Sequence, residues 1–108
     1  MLMLSTIDRR GKRSDETMRA LAERDRLIAE AAATFMSDRS SLSAATRLHE
    51  ALSRYQQGGW RRHRTEHQCP TRLCGRLDGY CWRILRARDA VPSERTIRRV
   101  LASPFRGQ

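Results

Sequence analysis

Lysine is almost missing from this chain: of its 22 basic residues only Lys12 is not arginine. Codon bias in a GC-rich genome produces such a skew as readily as selection for guanidinium chemistry, so the placement of the arginines is worth more than their total. Aromatic residues are scarce at 6%, and the hydrophobic share of 39% is below the usual globular level, so 108 residues allow one domain with a modest core and some loose tail. No apolar run approaches a membrane span. The start, Met1-Leu2-Met3-Leu4-Ser5, gives way to charge too soon for a signal peptide. Three cysteines are an odd number without the spacing of a disulfide framework, which leads us to expect a cytoplasmic protein with reduced thiols. A Gly-rich phosphate loop, a nucleophile elbow and paired carboxylates in an apolar setting are also missing, so neither an enzyme nor a bound cofactor is expected. Strand-like alternation, internal repeats and low-complexity tracts are not found either.

What the chain does have is positive charge, unevenly spread. The formal net charge is +10. Residues 1–13 set Arg9, Arg10, Lys12 and Arg13 against Asp8, a net of +3. Residues 14–58 hold six arginines against seven acids, a net of −1. Residues 60–108 hold twelve arginines against Glu66, Asp78, Asp89 and Glu94, a net of +8. Codon bias alone would spread the charge evenly. The asymmetry predicts an electropositive C-terminal half whose partner is anionic.

The periodicity predicts an all-α fold. Residues 1–13 read as a disordered basic tail. Ser14 offers an N-cap, and Met18, Leu21, Ala22, Ile28, Ala32, Phe35 and Met36 recur at helical spacing, broken once by Asp25. A polar connection at 37–41 leads to a second helix with Ala45, Leu48, Leu52 and Tyr55 on one face and Gly58-Gly59 at its end. So short a connection predicts an antiparallel helical hairpin over 14–58. Residues 59–70 read as an irregular linker or one short turn. Thr71 is expected to cap a third helix reaching about Asp89, carrying Leu73, Leu77, Tyr80, Cys81, Ile84 and Leu85. Gly75 and Gly79 inside it imply either a close crossing by another helix or a later start. Ala90-Val91-Pro92 breaks the chain, Ser93 caps, and Ile97, Val100 and Leu101 line a short helix over 94–102. Residues 71–103 thus form a C-terminal unit, with 14–103 as one compact domain.

Cys81 to Ala102, CWRILRARDAVPSERTIRRVLA, runs helix, turn, capped helix. On Ser93, Thr96, Ile97, Val100 and Leu101 it resembles the helix-turn-helix of bacterial DNA-binding proteins, whose second helix often opens with a Ser-x-x-Thr-apolar run. The match covers about the last quarter of the chain. It departs in the turn, where Asp89-Ala90-Val91-Pro92 replaces a small residue and one extra position is needed, and at Arg86, where an apolar residue is usual. The resemblance implies that Ile97, Val100 and Leu101 hold a recognition helix to the core. Glu94, Arg95, Arg98 and Arg99 would then face the major groove, where arginine can bond guanine O6 and N7 together. Ser93, Thr96 and the first N–H groups are expected near a phosphate, with Arg83, Arg86 and Arg88 along the backbone and Arg61 and Arg62 adding to the basic surface. One such helix reads few bases, so a homodimer on paired half-sites is expected. DNA is therefore the expected partner, and a membrane is not. The alternatives are a helical adaptor for an acidic protein and an RNA binder, the latter favoured by Trp60 among arginines.

One further cluster carries potential chemistry. His63, His67, Cys69 and Cys74, with Cys81 beyond them, supply enough imidazole and thiolate for a tetrahedral zinc site. The tight C-x2-C knuckle is missing, and small buried cysteines explain the pattern better, with Cys74 and Cys81 on one inward face. Trp60, Trp82 and Tyr80 read as core, with Trp60 plugging the seam between two helical units.

Overall fold

A computed structural model describes residues 14–102. The expected basic tail, 1–13, lies outside the described residues, as does the chain beyond Ala102. Between these limits the fold is helical throughout, with no strand among the described residues. Helix α1 spans Asp15–Phe35, α2 Ser41–Gln57, the short α3 Gly59–His63, α4 Leu77–Ala87 and α5 Glu94–Ala102; a single 3-10 turn, Thr71–Leu73, precedes α4.

The caps explain these boundaries. Ser14 accepts the Thr17 amide at 3.1 Å, and Ser40 accepts the Ser43 amide at 3.1 Å, each satisfying a donor that the first helical turn leaves free. Gly58 ends α2 as its C-cap. The chain does not continue as a loose linker there: α3 starts at once. Trp60 is buried in the core, and its indole N–H donates to Asp89 Oδ1 at 3.0 Å, which pins the α3 turn to the end of α4. Trp82 does the same in reverse, donating its indole N–H to the His63 carbonyl at 2.9 Å.

The third long element differs from its expected extent. Thr71 opens only the 3-10 turn. Gly75 then adopts φ +82°, a left-handed conformation that ends regular winding and that side chains other than glycine's resist. Helix α4 begins at Leu77 and stops at Ala87, before Asp89. Gly79 stays inside the helix for a steric reason. A Cβ there would collide with the Leu73 carbonyl oxygen, so the close neighbour is the preceding turn of the same chain and not another helix. Cys74, outside α4, is exposed, whereas Cys81 is fully buried; the two do not share an inward face.

One apolar core joins all the long helices. Ile28 of α1, Leu48 and Leu52 of α2, Ile84 and Leu85 of α4 and Ile97 of α5 are fully buried. Each stabilises the fold by about 1.5–3 kcal/mol relative to exposure. Helices α1 and α2, joined by the short connection, touch only lightly. Helix α1 packs mainly on α4, and α2 mainly on α5. Helices α4 and α5 therefore lean on α1 and α2 and not on each other. At the edge, Tyr80 donates its hydroxyl to Glu30 at 2.9 Å and meets Phe35 edge-on at 5.9 Å.

Candidate nucleic-acid interface

Helix α5 is strongly two-faced. Ile97 and Leu101 are buried and Val100 is half-buried, while Arg95, Arg98, Arg99 and Ala102 are exposed. Those four outward positions follow the i, i+3, i+4, i+7 spacing of one helical stripe, so three guanidinium groups share a single outer face. Ser93 caps the helix by accepting the Thr96 amide at 3.1 Å, and its hydroxyl donates to Thr96 Oγ1 at 3.0 Å. Ser93 and Thr96 are thus engaged with each other, and their part in the interface is to fix the start of α5. Glu94 departs from its expected place. Its carboxylate accepts the Thr46 hydroxyl at 2.7 Å, so it turns back onto α2 and leaves the outer face to arginine.

The remaining arginines named from the sequence spread over more than one surface. Arg83 and Arg86 are exposed on the outer side of α4, three residues apart. Arg83 stacks over the Tyr80 ring at 5.5 Å, and Arg86 over the Trp82 ring at 5.7 Å. Arg86 also donates to the Glu66 carbonyl at 2.7 Å, so a position that looked misfit for a buried apolar residue is a clamp on the 64–66 loop. Arg88 is exposed in the turn before α5. Arg61 and Arg62 are exposed on α3.

Counter-charge does not follow these arginines. Among the described residues the ion pairs lie on α1 alone: Arg24 with Asp25, and Arg26 with Glu23 and Glu30. The hydrogen bond from Arg26 holds the Glu23 carboxyl below its ordinary range and raises Arg26 in turn. From Arg39 to Arg99 no described arginine has a carboxylate within 4.0 Å.

A second concentration of charge was not visible in the sequence. Arg47 and Arg54 of α2, Arg62 of α3, and Arg72 and Arg76 before α4 line one cleft of about 660 Å³, with Asp78 as its single acid. Tyr55, Leu73 and Leu77 contribute its apolar wall. The Tyr55 hydroxyl lies 3.1 Å from His63 Nδ1, and burial above all pushes its pKa up to about 12. The only sequence signals were the seven-residue spacing of Arg47 and Arg54, which puts both on one side of α2, and the four-residue spacing of Arg72 and Arg76.

The His/Cys cluster does not gather into a metal site. Among the described residues no three His, Cys, Asp or Glu side chains converge in a geometry fit for an ion. His63 engages Tyr55, His67 is exposed, and the Cys74 thiol points to the Cys69 and Pro70 carbonyls at 3.6 and 3.5 Å. Burial, then the neighbouring Cys74, raise the Cys69 thiol above its usual range, which works against the thiolate that metal binding or nucleophilic attack requires. Comparison of the chain with models of protein families, with curated proteins and with solved structures returns no match.

Proposed function

We propose that this chain is a small DNA-binding regulator or accessory factor, acting in the cytoplasm, that presents α5 to the major groove. The observation that carries this reading is the stripe of Arg95, Arg98 and Arg99 on a helix whose opposite face is fixed in the core and whose one acid is turned away. A helix is about 10–12 Å across with its side chains, which fits a major groove about 12 Å wide. Outward guanidinium groups can then reach guanine edges, and Arg88 in the preceding turn can meet a phosphate. Helix α5 rests mainly on α2, which fixes the direction of the proposed recognition helix. Two copies on paired half-sites would supply the specificity that one short helix lacks.

Binding of the purified protein to duplex DNA, measured by fluorescence anisotropy, is expected to weaken steeply as salt rises, because phosphate contacts release counterions. Changing Arg98 and Arg99 together to Ala should weaken it at least tenfold. Unchanged affinity in a folded double variant would reject α5 as the binding element. Retention of an acidic protein after nuclease treatment, with no affinity for duplex DNA, would favour the adaptor reading instead.

A further inference from the structure

We infer that the arginine-lined cleft between α2, α3 and the start of α4 is a binding site for a nucleoside polyphosphate, separate from the proposed groove-facing helix. Its charge points to the ligand. Five arginines against Asp78 give the lining a net of +4, and none of the five has a carboxylate within 4.0 Å among the described residues. Like charges gathered without partners repel one another, and a polyanion that bridges them relieves that repulsion. Guanidinium groups are suited to this task because each can hold two phosphate oxygens at once.

The shape narrows the class. A volume of about 660 Å³ lies in the range of sites for small organic ligands and far exceeds that of a single phosphate. A duplex cannot enter a concavity of that size, whereas a nucleotide can. The lining is also chemically divided. Leu73, Leu77 and the Tyr55 ring offer apolar surface for a base, while the arginines surround the rest. Asp78 has no arginine partner among the described residues and can accept a hydrogen bond from a sugar hydroxyl. A polyphosphate chain supplies the opposite charge, a sugar the donor and a base the apolar face.

The cleft is preformed. Gly59 packs against the Tyr55 ring so closely that a Cβ would lie 2.7 Å from Cε1. Gly75 sets the reversal between Arg72 and Arg76 through its left-handed backbone. These constraints hold the α3 turn and the 71–76 segment at their present separation, which lowers the ordering cost of binding.

Isothermal titration calorimetry on the full chain tests this with ATP, tripolyphosphate and adenosine as probes. Saturable binding of one ATP per chain is expected, tighter than tripolyphosphate, with adenosine the weakest of the three. The double variant Arg54→Ala, Arg72→Ala should lower ATP affinity at least tenfold. Neither side chain makes a hydrogen bond with a described residue, so circular dichroism should match the parent. The pair Arg98→Ala, Arg99→Ala, outside the cleft, should leave ATP affinity unchanged even if it abolishes DNA binding, which separates this site from α5. Binding of ATP no tighter than tripolyphosphate, equal loss in both double variants, or displacement of ATP by an oligothymidylate that binds more tightly would overturn the proposal.

Discussion

Gly79 shows how a single residue is chosen by a neighbour that sequence spacing hides. In an exposed helix interior, Gly→Ala is stabilising by about 1 kcal/mol. Here the added methyl would meet the Leu73 carbonyl oxygen, which belongs to backbone and cannot rotate aside. Gly79→Ala is therefore expected to destabilise the protein by about 1–3 kcal/mol, read as a lower urea midpoint with an unchanged slope. Two buried acids of another kind set the alkaline limit. Burial raises Tyr55 from 10.0, and Cys81 from 9.0, to about 12 in each case. In the unfolded chain both groups lose their protons at lower pH than in the fold. The stability they supply is thus complete below about pH 9 and drains away as pH climbs through the folded values near 12. Thermal melts across this range should show a falling midpoint from about pH 9 upward, with the earlier part of the fall removed in Cys81→Ala. A midpoint flat to pH 12 would contradict the burial of both groups.

At the scale of elements, the sequence was most legible where local signals agreed. Helix α5 has a serine cap, apolar residues at 97, 100 and 101, and a break before it, and its expected span of 94–102 matches the structure. Replacing Ser93 by Ala should cost about 1 kcal/mol and raise hydrogen exchange in the first turn of α5. Local signals misled at the third helix because Thr71 is as acceptable a cap as Ser93. The deciding features, a left-handed Gly75 and the close approach of Gly79 to the Leu73 carbonyl, do not show in residue spacing. A short turn within 59–70 was one of two readings that the sequence left open, for a related reason. Its five residues, Gly-Trp-Arg-Arg-His, carry little periodicity, and burial of Trp60 against α4 fixes their winding. The outer stripe of α5 could be read from spacing, since all its members lie within one helix. The arginine cleft could not, because Arg47, Arg54, Arg62, Arg72 and Arg76 come from three separate segments that only the tertiary fold unites. Glu94 was misplaced for the same reason: its partner Thr46 is 48 positions away.

For the molecule as a whole, cohesion and charge are carried by different residues. Among the described residues the core is apolar, buried polar or charged residues are absent, and ion pairs are confined to α1. Apart from Arg86 on its loop, Arg39, which donates to Ser43, and Arg83 beside Cys69, the arginine side chains beyond α1 make no hydrogen bond with a described residue. Their net effect on the native state is mutual repulsion, which dissolved ions attenuate. Raising sodium chloride from about 0.05 to 0.5 M should therefore elevate the melting temperature, while the same change loosens the grip on DNA. A melting temperature that drops across this series would mean that attractive pairs, unseen among the described residues, dominate the surface.

The separation of architecture from electrostatics makes this scaffold rewritable. Glutamate could replace the outward arginines of α5 one after another, and the buried side of that helix would still seat on α2. A counterpart with an acidic α5 face on the same backbone would then be within reach, drawn to the parent's α5 instead of to DNA.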